Sequence, residues 1–364
     1  MTPRIQIAVT HLMGSGHLVR MAALARALMR AGAETRLLAG GRPLAHLDLS
    51  GLSIDWLPPV QSDGLDYTRL CDKTGAPVSP ALMQARLKSA LGALKGFAPH
   101  LLVTETWPLG RGALRAEFAA LAEAARASGA RLVASIRDIP EPPSPKKAER
   151  ARMALAAFDA LLVHGARQIH DVGRVWSLPP ALPLHYTGYI ATPLPPAIPS
   201  DAVLVAVGAG SIGRSLLRCA AEAACLSRHP FRLFVGGSDA EAFAARLSGP
   251  AIAEPARPDY RARLAGAAAS VSLAGYNTAT DLLACRTPSL IVPMAEGGEQ
   301  EQVLRGAALA RLGFATAKSD ALTPLALAQT IDGLVAAGPR NPTDLPLDGA
   351  KRAADRLLTL LAES

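Results

Sequence analysis

The residues between 272 and 312 combine a strand end, a glycine turn, a helix start and a carboxylate in one short run. An apolar strand pattern ends near Leu273, and the helical pattern that follows it opens with Gly275, Tyr276, Asn277 and Thr278. Backbone N–H groups at a helix start lack intrahelical partners and lie at the positive end of the helix dipole, so this turn can bind a diphosphate. Asp281 follows one helical turn later on the same face, where its carboxylate can accept hydrogen bonds from ribose hydroxyls.

A second strand pattern, Ser289 to Pro293, lies just beyond this helix and leads into a polar, glycine-rich loop. The loop ends in carboxylate and amide side chains, of which Glu301 and Gln302 are candidates for binding sugar hydroxyls. Each of these residues taken alone also fits an ordinary turn or a surface helix. Their order along the chain is what indicates a nucleotide-binding site.

The first strand-to-helix turn, HLMGSGHLVR at 11–20, combines glycine with histidine. Glycines here allow a tight turn and a close approach of the backbone to a ligand. The third glycine of the dinucleotide-binding pattern is replaced by Val19, and no acidic residue closes the second strand TRLLAG, so the sequence disfavours NAD binding. The loop residues that can shape an acceptor site are Gly14, Ser15, Gly16 and Arg20, and His11 is expected to line the loop in a structural position.

His17, in the same turn, is the candidate general base. An imidazole has an ordinary pKa of about 6.5, which suits it to take a proton from an attacking hydroxyl group. Glu105 and Asp138 each end a predicted strand, and the carboxyl ends of parallel strands line the ligand crevice of an open sheet. Either carboxylate can orient His17 or act as the base itself. The structural alternatives are a helix-capping His17 and carboxylates that anchor loops.

Glycines also follow the first strand pattern of the second half of the chain. Gly208, Gly210 and Ser211 come after AVLVAV and open another helical pattern. Their backbone amides can complete a diphosphate cradle. Gly236 follows the next strand pattern, FRLFV, and is expected to turn the chain beneath the nucleotide.

Composition places the chain among globular proteins that contain two domains of ordinary size. The 364 residues are 50% hydrophobic and 19% charged, which allows a large core and excludes extended disorder. The four cysteines show no CxxC spacing, and no His and Cys cluster indicates zinc. The N-terminal residues enter a strand pattern without a signal-peptide core, and no apolar run is long enough to cross a bilayer. These features favour a cytoplasmic protein.

The net charge of +8 attracts anions, such as nucleotide diphosphates or an anionic lipid surface, although an arginine-rich composition alone also produces it. Aromatic residues make up only 4% of the chain and no base-stacking motif is present, so nucleic acid is the weakest candidate partner. The apolar and arginine residues from Leu18 to Met29 fit peripheral contact with the inner face of a membrane, and they fit a core-facing helix equally well.

Strand and helix patterns alternate along the whole chain, which is the βαβ rhythm of parallel sheets. Residues 1–190 form one such run, and the proline-rich segment 191–200 indicates a semi-rigid linker. A second run covers 201–345, and the leucine spacing within 346–364 predicts a final amphipathic helix. We therefore predict an α/β protein with two Rossmann-like, doubly wound domains.

The motifs GYNTATDLL at 275–283 and GEQEQVLRGAALARLG at 298–313, together with HLMGSGHLVR, resemble those of GT-B glycosyltransferases. The similarity is to the MurG-like family 28 type, and it is closest to a bacterial group of predicted glycosyltransferases, which typically have Glu in place of Asp281. It implies the GT-B fold with an interdomain cleft, an N-terminal acceptor-binding domain and a C-terminal nucleotide-sugar-binding domain. The final helix is expected to pack back on the N-terminal domain.

The resemblance implies an inverting, metal-independent glycosyltransferase of the hexosyltransferase class that moves a sugar from a UDP-sugar donor to an acceptor hydroxyl. It places the uracil against the loop that contains Ala256 and Arg257. Arg111 and Arg137 match family positions, where they can meet an anionic acceptor or hold the loops. No cofactor or metal is expected, because such enzymes stabilise the departing nucleotide with helix ends and side chains, and the chain has no suitable carboxylate pair. The acceptor, whether saccharide, lipid-linked or small molecule, stays open.

Two alternatives fit the same residues. The first is a nucleotide-sugar hydrolase or hydrolysing epimerase of the same fold, in which water replaces the acceptor. The second is a non-catalytic protein that binds a nucleotide-sugar.

Overall fold

The computed structural model describes residues 1–44, 47–63, 66–208, 210, 212–294 and 300–363. These residues divide into two compact units. The first unit contains residues 1–190 and 348–364, and the second contains residues 191–347.

The first unit is built on a parallel sheet. Its strands are β1 (Arg4–Val9), β2 (Glu34–Ala39), β3 (Ser53–Trp56), β4 (Gln61–Asp63), β5 (Asp66–Cys71), β6 (Leu101–Glu105), β7 (Arg131–Arg137), β8 (Ala160–His164) and β9 (Leu184–Tyr186). Its helices up to the end of the sheet are α1 (Gly16–Arg30), α2 (Pro80–Phe97), α3 (Arg115–Ala127), α4 (Pro145–Leu155) and α5 (Val172–Val175). A 3₁₀ turn at Gly112–Leu114 precedes α3.

Seven of these strands pair in the order β3-β2-β1-β6-β7-β8-β9, and every pair is parallel. Successive strands are added on one side of β1 up to β3 and on the opposite side from β6 to β9, so the direction of strand addition reverses between β1 and β6. Ligands of such sheets bind beyond the carboxyl ends of the strands at this point of reversal. The loops after β1 and β6 are therefore the part of the unit where a ligand is expected.

The alternation of side chains along β6 decides where its last residue points. Leu101 and Val103 are fully buried in a core cluster that also contains residues of α1, whereas Leu102 belongs to the cluster on the opposite face of the sheet. Successive side chains of a strand point to opposite faces. Glu105 therefore shares the α1 face with Leu101 and Val103.

Two features of the first unit lie outside the predicted patterns. Strands β4 and β5 form a separate antiparallel pair. Helix α2 follows soon after, and its N-cap Ser79 accepts a hydrogen bond through Oγ from the Leu82 amide at 3.1 Å. Both features fall between the third and fourth strands of the parallel sheet.

The second unit repeats the same architecture. Its strands are β10 (Val203–Ala206), β11 (Phe231–Val235), β12 (Ile252–Pro255), β13 (Ala269–Ser272), β14 (Ser289–Ile291) and β15 (Ala315–Thr316). Its helices are α6 (Arg214–Ala223), α7 (Ala240–Ala244), α8 (Tyr260–Gly266), α9 (Tyr276–Ala284), α10 (Glu301–Arg311) and α11 (Pro324–Ala337). The six strands are parallel, in the order β12-β11-β10-β13-β14-β15, so the reversal point lies between β10 and β13.

The proline-rich segment 191–200 belongs to the second unit. The Ile198 amide donates to the Ala262 carbonyl at 2.9 Å, and the Ser200 amide donates to the Gly266 carbonyl at 2.8 Å. A Cβ at Gly266 would lie 2.2 Å from the Ile198 carbonyl oxygen, so the close approach of this segment to α8 requires glycine. The segment is thus held along α8 by backbone hydrogen bonds.

The last helix, α12 (Gly349–Ala362), returns to the first unit. Its buried residues Ala353 and Leu357 share a core cluster with Leu24 and Leu28 of α1. Leu18 and the other large apolar residues on that face of α1 are also fully buried, so this face of α1 is not available to a lipid surface. No helix in the described part of the chain is long and apolar enough to cross a membrane.

Candidate functional site

His17 and Glu105 form a hydrogen-bonded pair at the reversal point of the first sheet. His17 lies in the first turn of α1, and its Nδ1 atom is 2.7 Å from Glu105 Oε1. Glu105 is fully buried at the end of β6, whereas 16% of the His17 side chain is exposed. Arg20, one helical turn beyond His17, donates to the same Oε1 atom. The expected pairing of His17 with a strand-end carboxylate is therefore made by Glu105.

The hydrogen bond fixes which nitrogen of His17 carries its proton. An ionised carboxylate can only accept, so Nδ1 must donate to Glu105. The Nε2 atom of a neutral imidazole then has a lone pair. No described residue forms a hydrogen bond with Nε2, since the recorded contacts of His17 all involve Nδ1. The side chain is thereby prepared to accept a proton from a ligand.

The electrostatic surroundings keep His17 neutral and Glu105 ionised. Burial lowers the pKa of His17 to about 3, the charges of Arg111 and Arg20 act in the same direction, and Glu105 opposes them. Burial alone would raise the pKa of Glu105, but the His17 contact and the two guanidinium groups hold it well below its usual range. The pair therefore consists of a carboxylate and a neutral imidazole at neutral pH.

The loop after β6 surrounds Glu105 with an unusual backbone. Thr106 has φ of 66° and Arg111 has φ of 57°, both in the left-handed region that disfavours residues with a Cβ. Thr106 Oγ1 donates to Glu105 Oε1 at 2.7 Å. A Cβ at Gly110 would lie 2.5 Å from the Thr106 methyl group, so glycine is needed for this compact loop.

Arg111 approaches the second oxygen of Glu105. Its Nη2 atom is 3.7 Å from Glu105 Oε2, and its side chain is only 7% exposed. Burial lowers the pKa of Arg111, Glu105 opposes this, and the like charges of Arg137 and Arg20 add to it. Arg111 and Arg137 are therefore close enough to repel one another.

Asp138 lies one residue beyond β7 and has other partners. Its Oδ1 atom accepts from the Ile139 amide at 2.8 Å, and its Oδ2 atom accepts from the Tyr189 hydroxyl at 3.1 Å. The hydrogen bond of His17 Nδ1 is made to Glu105 rather than to Asp138. The geometry gives Asp138 the loop-anchoring position that was the alternative to a role at His17.

The other residues of the first turn shape the loop. His11 is buried, its Nε2 atom donates to the Arg42 carbonyl at 2.8 Å, and its Nδ1 atom has no partner in the described part of the chain. Gly14 has φ of 63°, which requires glycine in practice. Ser15 is the N-cap of α1 without a side-chain hydrogen bond, and Gly16 is the first helical residue. The turn therefore presents backbone rather than capping side chains.

In the second unit, the start of α9 lies at the reversal point between β10 and β13. Gly275 is the N-cap residue of α9 and has no side chain that could cap the helix. The Ala279 amide donates to the Gly275 carbonyl at 2.9 Å, which is the first hydrogen bond within the helix. The amides of Asn277 and Thr278 come before Ala279 in the chain and therefore have no acceptor within the helix. Tyr276 is buried, so its backbone opens the helix while its ring packs inside.

Residues of α10 hold this turn in place. Gln302 Oε1 accepts from the Ala274 amide at 3.1 Å and from the Met294 amide at 3.4 Å. Arg305 is fully buried, donates to the Ala274 carbonyl at 2.7 Å and pairs with Glu301 Oε1 at 2.6 Å. Gln302 Oε1 and Glu301 Oε1 are thus engaged within the chain, where they help to position the start of α9.

Asp281 pairs with a residue that the sequence patterns did not indicate. Arg261 Nε donates to Asp281 Oδ1 at 2.8 Å, and its Nη1 atom donates to the Pro193 carbonyl at 3.1 Å. Burial raises the pKa of Asp281, and Arg261 acts in the opposite direction. The side chain is 15% exposed. Its Oδ2 atom makes no hydrogen bond with the described residues, so one oxygen is left for a ligand.

The remaining donor-site predictions fall on loops at the same edge of the second sheet. Gly208 has φ of 89° and, like Gly210, has open space where a Cβ would be. The Gly236 carbonyl accepts from Arg214 at 2.8 Å. Ser211 and the loop residues 295–299 lie outside the described residues.

The predicted uracil loop is tied to the sheet and to its own side chains. The Ala256 amide donates to the Val235 carbonyl at 2.8 Å, and Arg257 pairs with Glu254 and Asp259 on the surface. The guanidinium of Arg257 is therefore engaged with carboxylates of its own loop.

Two site residues were missed from sequence, Thr106 beside Glu105 and Arg261 beside Asp281. Thr106 could have been found, because it directly follows a strand-end carboxylate. Arg261 lies 20 residues from Asp281 and carries no local signal. In the described part of the chain no group of three or more His, Cys, Asp or Glu side chains could hold a metal ion.

No protein-family model matches the chain, and a comparison with the curated proteins found no match. Solved structures do match over nearly the whole length. MurG of Acinetobacter baumannii is 15% identical, with a TM-score of 0.60 and 100% of each chain covered. The spinosyn forosaminyltransferase SpnP is 17% identical, with a TM-score of 0.64 and 100% of each chain covered.

A plant protein is similar in the same way. UGT2 of Phytolacca americana, solved with UDP-2-fluoroglucose and pterostilbene, is 16% identical with a TM-score of 0.61. The alignment covers 98% of this chain and 94% of that one. At such identities the likeness establishes the fold. The predicted GT-B fold with two Rossmann-like units is therefore confirmed.

Proposed function

We propose that the protein is an inverting glycosyltransferase that moves a sugar from a UDP-sugar to an acceptor hydroxyl. The observation that carries this proposal is the His17 Nδ1 to Glu105 Oε1 hydrogen bond of 2.7 Å at the reversal point of the first sheet. A neutral imidazole held in this way has a lone pair on Nε2, and since Nε2 makes no hydrogen bond with the described residues, this lone pair is available to a ligand.

In the proposed step the acceptor oxygen attacks the anomeric carbon from the face opposite the diphosphate. His17 Nε2 takes the hydroxyl proton as the new carbon–oxygen bond forms. The bond from the anomeric carbon to the diphosphate breaks, and its electron pair leaves with UDP. Glu105 keeps the imidazole in the correct tautomer and stabilises the imidazolium that forms, since its carboxylate lies on Nδ1.

The second unit supports a nucleotide-sugar donor of the MurG-like type. The amides at the start of α9, which lack partners within the helix, suit a diphosphate, and the free oxygen of Asp281 suits a ribose hydroxyl. UGT2 of Phytolacca americana was solved with a UDP-sugar analogue, which supports uracil as the base. Helix-end amides can stabilise the leaving UDP without a metal ion, and metal independence is part of the proposal.

The test measures UDP release from a panel of UDP-sugars, with and without a pool of hydroxyl acceptors. If the protein is a transferase, we expect UDP to be released only when an acceptor is present. We also expect a product that is heavier than the acceptor by one glycosyl group. Equal release in the absence of any acceptor would show a hydrolase or hydrolysing epimerase instead. Tight UDP binding without turnover in any acceptor pool would show a non-catalytic binding protein.

A further inference from the structure

Arg111 is a buried cation, and two of its three side-chain nitrogens have no hydrogen-bond acceptor among the described residues. Its side chain is 7% exposed, and its Nε and Nη2 atoms are buried without a hydrogen-bond partner. Its one ion pair among the described residues is with Glu105 Oε2, at 3.7 Å. Burying these two nitrogens without hydrogen bonds is unfavourable, because their three N–H donors lose water and gain no acceptor in exchange.

The charge around Arg111 does not compensate this cost. Glu105 is shared, because its Oε1 atom accepts from Arg20, His17 and Thr106. Arg137 adds a like charge close enough to lower the pKa of Arg111. The position therefore has a positive potential that a ligand anion would neutralise.

The backbone at Arg111 is strained as well. Its φ of 57° and ψ of 35° lie in the left-handed region, and the Leu114 amide donates to its carbonyl at 2.9 Å. A residue with a Cβ adopts this conformation at a cost, and such strain is typically kept where it positions a functional group. Strain and uncompensated charge at one residue both indicate a ligand.

We infer that the acceptor carries an oxyanion, either a carboxylate or a phosphate, and that Arg111 binds it beside His17. The guanidinium fork matches both groups through two parallel hydrogen bonds. Arg111 and His17 lie at opposite oxygens of one carboxylate, so an anion on Arg111 brings a nearby hydroxyl of the same molecule toward Nε2. The inference rests on the proposed transfer reaction, and it narrows the acceptor to hydroxy acids or phosphorylated alcohols and sugars.

The same arrangement links acceptor binding to the basicity of His17. The positive charges of Arg111 and Arg20 help to lower the pKa of His17. An oxyanion on Arg111 would offset one of these charges and make the imidazole a stronger base. The correct acceptor would then activate the group that deprotonates it.

The test uses small anions, because they need no particular sugar. Thermal unfolding is followed in inorganic phosphate and in acetate, against chloride at equal ionic strength, for the parent protein, Arg111→Met and Arg115→Gln. Arg115 is exposed at the start of α3, so its variant is matched for net charge. We expect one of the two anions to raise the melting temperature of the parent and of Arg115→Gln by at least about 2 °C more than that of Arg111→Met.

The anion that gives this difference identifies the acceptor group as phosphate or carboxylate. Arg111→Lys keeps the charge without the fork, so we expect an intermediate response, and it replaces Arg111→Met if that variant fails to fold. Equal responses to both anions in the parent and in the Arg111 variant would overturn the inference.

A second measurement separates the acceptor from the donor. We expect Arg111→Met to bind UDP with the affinity of the parent. Loss of UDP binding in that variant would assign Arg111 to the donor diphosphate and overturn the inference. If the protein does not transfer sugar, the proposed function fails, but the effect of the anion on the melting temperature can still depend on Arg111. Failure of the proposed function is therefore distinguishable from failure of the Arg111 inference.

Discussion

The Nδ1 atom of His17 lies 2.7 Å from Oε1 of Glu105, and this contact sets the tautomer of the imidazole. Glu105 is placed by the alternation of β6, in which Leu101 and Val103 point to the same face of the sheet. His17 is placed by the glycine turn that opens α1. Two local sequence features, 88 residues apart, are thus brought together by the pairing of β1 with β6.

Replacing Glu105 by Gln should reduce kcat more than it reduces donor binding. The amide no longer stabilises the imidazolium and can present an N–H to Nδ1, which favours the wrong tautomer. We expect kcat to fall by roughly 10²–10⁴-fold. Steady-state kinetics with a fixed acceptor measure this effect.

Asp138→Asn is the matched control for Glu105→Gln. Asp138 accepts from the Ile139 amide and the Tyr189 hydroxyl, contacts that an amide can largely keep. We expect kcat to stay within about threefold of the parent, while unfolding occurs at lower denaturant concentration because a buried charge-assisted hydrogen bond is weakened. A larger loss of kcat in Asp138→Asn than in Glu105→Gln would exchange the roles of the two carboxylates.

The chain should lose stability as the pH falls from about 7 to about 5. Burial lowers the pKa of His17 and of His164 to about 3 in the folded protein, compared with an ordinary value of about 6.5. Between these values the unfolded state binds more protons, so the free energy of unfolding falls with decreasing pH. Urea unfolding at several pH values measures the slope.

His17→Gln should make that slope shallower, because one of the protonating groups is removed. Burial also lowers the pKa of His11 and of the half-buried His185, so the difference in slope between parent and variant is the informative quantity. An identical slope in both proteins would show that His17 is not held neutral in the folded state.

Asp281→Ala should weaken UDP binding at least tenfold, which corresponds to about 1.4 kcal/mol. The variant removes the carboxylate oxygen that is free to accept a hydrogen bond from a ribose hydroxyl. Calorimetry with UDP measures the change. The exposed carboxylate of Asp320 in the same unit provides the control Asp320→Ala, which we expect to bind UDP like the parent. Unchanged affinity in Asp281→Ala would move the ribose contact elsewhere.

Transfer should survive treatment with EDTA. The leaving diphosphate is proposed to be stabilised by backbone amides at the start of α9. Initial rates before and after chelation, followed by addition of Mg²⁺ or Mn²⁺, test this. Loss of activity that either metal restores would refute metal independence.

Local patterns were sufficient to predict the elements that carry the site. The strand that ends in Glu105, the glycine turn before His17 and the turn at Gly275 each combine a short apolar run with a glycine or polar residue at its end. Such signals are local, since strand ends and helix starts depend on a few neighbouring residues. The parallel architecture of both sheets also follows from the alternation of strands and helices.

Contacts made across the fold could not be predicted in this way. Gln302 accepts from the Ala274 amide across 28 residues, and Arg261 reaches Asp281 from a different helix. From the sequence pattern alone, either side chain could equally have been a solvent-exposed surface residue. Which of them face a backbone amide or a carboxylate is decided by how α8, α9 and α10 pack on their sheet, which no short window of sequence contains.

The role of His17 as the base is tested most directly by the kinetics of His17→Ala with a UDP-sugar and a productive acceptor. We expect kcat to fall by roughly 10²–10⁴-fold, because the proton acceptor is lost, while UDP affinity measured by calorimetry stays within about twofold. A variant as active as the parent would contradict the assignment of His17 as the base, and with it the reading of the His17 and Glu105 pair.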